Sequence, residues 1–107
     1  MKHFKVKKSC EKNSAHYFIK HKNSVIAQAF LVGDALEDLW VHPDYRRKGL
    51  ATELMSELMK DSSDIPINLL PVDEERIGID IFGFYAKFGF VINETGSMDY
   101  EPQRCKI

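Results

Sequence analysis

The hydrophobic pattern of this chain first changes period at His42-Pro43-Asp44-Tyr45. Before that point the apolar residues alternate or run in short bursts. His16 to Lys20, Val25 to Val32 and Leu36 to Val41 read as strands, with turns at Asn23-Ser24 and Gly33-Asp34. Three strands with connections this short form an antiparallel meander. After that point Leu50, Leu54 and Leu58, with Met55 and Met59, recur at helical spacing, and Glu53, Glu57 and Lys60 fall on the outer face. The chain must therefore turn from sheet to helix within a few residues. With 107 residues, 44% of them hydrophobic, it has material for one domain around one core.

The flanks complete the pattern. Phe4 and Val6 alternate with lysines, which predicts a short edge strand whose charges oppose sheet-to-sheet pairing. Residues 9–14 read as a polar loop. The helix is expected to stop in Asp61-Ser62-Ser63-Asp64, and the apolar run from Ile65 to Val72 predicts a strand covered on both faces. Strand, helix and strand at this spacing imply a right-handed crossover between parallel neighbours. Residues 79–88 read as a second, aromatic-rich helix ended by a left-handed glycine at Gly89. Phe90 to Asn93 and Ser97 to Tyr100 predict a closing hairpin about Thr95-Gly96. The expected fold class is mixed α/β of the α+β type, with six or seven strands in one sheet and two main helices.

Charge and cysteine usage exclude several classes. The formal net charge is −1 at pH 7, so no overall field draws the chain to nucleic acid or an anionic membrane. Lysines crowd the first 22 residues and residues 73–75 are acidic, which reads as solvated faces. The opening residues lack the apolar run of a secretory signal, and no stretch reaches the roughly 18 apolar residues of a membrane helix. Cys10 and Cys105 are thus expected to be thiols in a reducing, cytoplasmic setting. His3, His16 and His21 fall in or near edge strands and are expected on the surface. They show no metal-ligand spacing with one another or with the cysteines, so no metal site is expected.

The chemistry is concentrated where the period changes. In Leu39-Trp40-Val41-His42-Pro43-Asp44-Tyr45-Arg46-Arg47-Lys48-Gly49-Leu50-Ala51-Thr52 a strand runs into a basic, glycine-containing turn that opens a helix. The first amides of a helix have no intrahelical acceptor, and the helix dipole adds partial positive charge there. An anionic ligand complements such an end, and a pyrophosphate fits its reach. Gly49 permits positive φ or close backbone approach. Arg46, Arg47 and Lys48 supply cations for phosphate oxygens. Neither the Walker spacing nor the three-glycine dinucleotide fingerprint is present.

Arg46-x-x-Gly49-x-Ala51 resembles the Arg/Gln-x-x-Gly-x-Gly/Ala signature of the GNAT (GCN5-related N-acetyltransferase) superfamily, and the preceding strand and Pro-containing turn match its context. Downstream, Phe84-Tyr85-Ala86-Lys87-Phe88-Gly89-Phe90 resembles the family's Phe-Tyr-x-x-x-Gly-Phe segment. The resemblance covers residues 36–90.

It implies that acetyl-CoA is the cosubstrate and that an amine accepts the acetyl group by direct attack. The signature loop, Arg46 to Thr52, would hold the pyrophosphate on its backbone amides. Leu39, Trp40 and Val41 would pair with the pantetheine arm, inside a slot whose other wall is Ile67 to Leu70. Tyr85 matches the tyrosine that protonates the leaving sulfur. For the base, Glu37 and Asp38 flank the strand; alternation puts them on opposite faces, Glu37 in phase with Leu39 and Val41 and Asp38 with Trp40. Glu37 is the favoured carboxylate, ahead of His42.

The chain departs from the family in two places. Gly78 stands where many relatives carry an asparagine, and only about eight residues separate Val6 from His16, too few for the helix pair that builds the usual acceptor pocket. The open side, with Phe18, Phe30 and Trp40, would suit a large acceptor or a second copy of the chain as a homodimer. The alternative function is an acetyl-CoA sensor or interaction module on the same scaffold.

Overall fold

The computed structural model describes residues 4–70 and 81–102. His3, Pro71, Val72, Gly78, the start of the helix expected over 79–88, and Cys105 lie outside the described residues.

Among the described residues seven strands form one sheet in the order β1-β2-β3-β4-β5-β7-β6. In chain order these are β1 (Lys7–Glu11), β2 (Ser14–His21), β3 (Ser24–Val32), β4 (Ala35–Val41), β5 (Ile67–Leu69), β6 (Phe90–Ile92) and β7 (Met98–Tyr100). A single 3-10 turn, Pro43–Tyr45, and helix α1 (Leu50–Ser62) join β4 to β5, and helix α2 (Ile81–Ala86) precedes β6. The mixed architecture with two helices is the one expected.

The meander is closed by tight turns. Lys22 and Asn23, with φ of 53° and 66°, link β2 to β3 as a two-residue turn with positive φ at both positions, which suits the twist of a hairpin. The core is built on one side of the sheet. Tyr17, Ile19, Ala27, Ala29, Leu31, Leu36, Leu39 and Val41 are buried against Leu50, Leu54, Met55 and Leu58 of α1. The small residues Ala27 and Ala29 in the middle strand let the helix approach closely.

The N-terminal expectation is corrected. The segment read as a polar loop, residues 9–14, is mostly strand: β1 pairs with β2 from Lys7↔Phe18 to Glu11↔Ser14, around the two-residue turn Lys12-Asn13. The lysine-bearing edge strand exists, but it is Lys7–Glu11 rather than Phe4 and Val6. Those two side chains pack against the core instead, Phe4 edge-on to His21 and Tyr45. Burying their apolar surface outweighs continuing the ladder. Polar composition misled because both faces of β1 are solvated.

The far end of α1 is tied back to this hairpin. Lys8 Nζ donates to Asp61 Oδ2 at 2.6 Å, and the Tyr17 hydroxyl donates to the same oxygen at 2.9 Å. The Lys8 and Tyr17 hydrogen bonds hold the Asp61 carboxyl below its ordinary range. Burial, then the hydrogen bond to Asp61, pushes the Tyr17 phenol up.

Candidate active site

Two features of β4 organise the site. The first is its short pairing with β5, which is parallel and limited to Ala35↔Asn68 and Leu36↔Leu69. Pro66, which has no N–H, comes just before β5, so the strand is shorter than the expected Ile65–Val72. Among the described residues the β4–β5 ladder ends at Leu36↔Leu69, and β4 continues to Val41 paired with β3. The second feature is a bulge. Phe30 pairs with Asp38 but Leu31 pairs with Leu36, which leaves Glu37 as the extra residue.

The bulge overturns the simple alternation expected for Glu37 and Asp38. Leu36 and Leu39 both face the core, so the two carboxylates between them both leave that face. Glu37 is exposed. Asp38 is partly exposed and accepts a hydrogen bond from Gln28 Nε2 at 3.1 Å.

At the C-terminal end of β4 the chain turns through Pro43–Tyr45 into α1. His42 Nδ1 accepts from the Asp44 amide and shapes the turn. Arg46 Nε donates to the Val41 carbonyl at 2.8 Å, clamping the end of the strand to the loop. Arg47 has φ 63° and Gly49 φ 83°, so the backbone passes twice through the left-handed region before the helix begins. A Cβ built on Gly49 would meet no atom within 4 Å, so the glycine serves the backbone turn rather than a close internal contact. Gly49 is the residue capping α1, and no side-chain hydrogen bond caps the helix there. The first amides of a 13-residue helix therefore point out of its end without a side-chain acceptor from the capping position.

These pieces line one cleft of about 260 Å³. Its walls bring together Val41, Arg46, Arg47, Gly49, Leu50, Ala51 and Thr52, seven of the residues that the sequence singled out. Tyr45, Phe84 and Lys87 join them and were missed. The signal for the last two was present: three residues apart near one helix end, they share a face of α2 and its terminal turn. Lys87 adds a cation to a cleft already lined by two arginines.

Other expected site residues fall elsewhere. Leu39 is in the core, so only its backbone is available to a ligand. The Trp40 side chain lies on the opposite face of the sheet, its ring centroid 6.0 Å from that of His42. Lys48 is exposed and does not line the cleft. Tyr85 is 3% exposed, its ring packed against Phe84 and Phe90 with centroids 5.3 and 5.7 Å away. Among the described residues no group of three or more His, Cys, Asp or Glu side chains gathers.

The family described as the acetyltransferase (GNAT) domain matches residues 12–92, which contain β4, β5, the signature loop and α2. This chain belongs to the GNAT family. Over 65 residues, 61% of its length, it is 32% identical to streptothricin acetyltransferase A of Bacillus subtilis, and it spans 38% of that relative. Among solved structures it resembles the PaiA N-acetyltransferase of Thermoplasma acidophilum in complex with coenzyme A (TM-score 0.64, 20% identity), covering 83% of this chain and 61% of that one. A GCN5-related N-acetyltransferase of Rhodopseudomonas palustris is similar at TM-score 0.64 and 21% identity, covering 82% of this chain and 61% of that one. The GNAT fold is thus present on a chain that spans less than two thirds of these relatives.

Proposed function

We propose that this GNAT domain transfers the acetyl group of acetyl-CoA to a primary amine by direct attack. The observation that carries the reading is the coincidence, in one cleft, of an uncapped helix N-terminus, left-handed backbone at Arg47 and Gly49, and three cationic side chains. That arrangement suits a pyrophosphate, whose oxygens take the free amides and the charges of Arg47 and Lys87. Arg46 has one guanidinium nitrogen committed to Val41 and keeps its remaining donors for the same anion. The extended amide-bearing arm is assigned to the β4 backbone over Leu39 to Val41, which leads into this cleft.

In the chemical step the neutral amine nitrogen attacks the thioester carbonyl carbon. The C–N bond forms, the C–S bond breaks, and the proton lost from nitrogen is balanced by one gained at sulfur. We assign Glu37, exposed at the bulge, to accept the proton of the incoming ammonium through water. Tyr85, next to the cleft-lining Phe84, is assigned to protonate the sulfur. With both assignments, Tyr85→Phe lowers kcat at unchanged acetyl-CoA affinity, and Glu37→Gln lowers the rate most at neutral pH. Release of free CoA in the presence of an amine panel is the test. Tight acetyl-CoA binding with no amine-dependent release would refute the transferase reading and leave a binding module.

A further inference from the structure

The face of the sheet opposite α1 carries an ordered grid of side chains that the proposed chemistry does not use. The ladders place His16, Phe30 and Asp38 in one row across β2, β3 and β4, and Phe18, Gln28 and Trp40 in the next. All six are partly exposed. The His16 imidazole stacks on Phe30 with centroids 4.0 Å apart and planes within 2°, and on Phe18 at 4.7 Å. Gln28 joins the rows: its Nε2 donates to Asp38 Oδ2, so its Oε1 is the atom 3.1 Å from His16 Nε2 and accepts from it. The result is a flat aromatic shelf with a fixed carboxylate at its β4 end, beside Glu37 at the bulge.

This shelf already holds a cation. Lys20 Nζ sits 6.0 Å from the centroid of the Phe18 ring, within the range of an ammonium over an aromatic face. The two-residue turn between β1 and β2 brings no helix over these strands, and α1 packs on the other side.

We infer that the His16–Phe18–Phe30 shelf, with Asp38 at its inner end, is the acceptor subsite and selects a small aliphatic amine with a second positive charge. The inference rests on the proposed transfer to an amine. Charge complementarity supports it: two carboxylates lie at the end where the attacking amine must arrive, and the aromatic faces lie farther out, where they match a distal ammonium. A ligand's distal ammonium takes the position that Lys20 occupies over Phe18.

The matched probes are 1,5-diaminopentane and 1-aminopentane, which share the carbon chain and differ in the second charge. With acetyl-CoA saturating, the diamine is expected to show a KM about tenfold lower, in keeping with a desolvated cation–π contact and a carboxylate. His16→Gln and Phe18→Leu keep bulk and remove the stack. Each is expected to raise the diamine KM about fivefold, with the monoamine KM and the acetyl-CoA affinity unmoved. Lys20→Gln removes the internal competitor and lowers the diamine KM. Equal KM values for the two amines, or variants that shift both alike, would overturn the shelf, as would preference for a lysine-containing peptide over the diamine. A wild-type dimer that Phe18→Leu converts to monomer would give the face to a second copy instead. If acetyl-CoA binds but neither amine is acetylated, the transfer reading has failed. Aromatic 1H–13C spectra of the CoA-loaded protein then decide the shelf alone: movement of the His16, Phe18 and Phe30 resonances by the diamine supports it, and their constancy refutes it.

Discussion

Gly49 concentrates the residue-scale argument. Its φ of 83° lies where a side chain is strained whatever the space, and no neighbour stands within 4 Å of the missing Cβ. Gly49→Ala is therefore expected to destabilise the fold by about 1–2 kcal/mol through backbone strain alone, read by urea denaturation. It should also weaken acetyl-CoA binding, because relief of the strain would re-aim the helix amides. Arg46 makes a second prediction. Its Nε bond to the Val41 carbonyl is directional, so Arg46→Lys keeps the charge and loses the clamp. An acetyl-CoA affinity lowered severalfold in Arg46→Lys, against a smaller and more salt-sensitive loss in Lys87→Ala, would separate positioning from plain charge. Sequence reading reached the glycine and the arginines because helix ends have unmet amides wherever they occur. Lys87 was readable from its three-residue spacing to Phe84, whereas the place of Tyr45 in the cleft depends on how the 3-10 turn packs, which no local pattern encodes.

Elements show where pattern and packing diverge. Helix α1 was legible because its apolar stripe must face a sheet, and Leu54 and Leu58 are indeed fully buried. Leu54→Ala should cost about 2–5 kcal/mol, measurable as a lower urea midpoint at unchanged slope. Strand β1 was misplaced because a strand solvated on both faces has no hydrophobic period to read. The bulge at Glu37 was equally invisible, since a one-residue slip leaves composition untouched while moving side chains between faces. The contact between α1 and the first hairpin carries a pH prediction. The Asp61 pKa is depressed in the fold, so its contribution is present above the ordinary carboxylate pKa and lost as pH falls below about 4. The Tyr17 pKa is raised, so its contribution is present below about pH 10 and lost as pH climbs further. Tyr17→Phe should flatten the alkaline limb of the stability profile. Asp61→Asn should flatten much of the acid limb, with Asp99, also depressed by the amides of Asn68 and Asn93, supplying another part.

At the scale of the whole molecule, a GNAT sheet is kept from β2 to β7 while the connection between β1 and β2 is reduced to Lys12-Asn13. The cleft at the end of β4 and the N-terminus of α1 depends on the retained part, and on the aromatic face of β2 to β4 the reduced one brings no helix over the partly exposed side chains. The division was readable from spacing, since the residues between Val6 and His16 are too few to form two helices. What the exposed face presents was not, because the stacking of His16 between Phe18 and Phe30 arises from ladder register rather than from neighbours in sequence. The central claim is that this short chain still grips acetyl-CoA at the Arg46–Thr52 loop. Calorimetric titration of the purified protein with acetyl-CoA, beside Gly49→Glu, tests it most directly. The account predicts one site per chain with affinity in the micromolar range, abolished by the carboxylate placed at the helix end. Absence of heat at millimolar acetyl-CoA, or equal binding by Gly49→Glu, would contradict it.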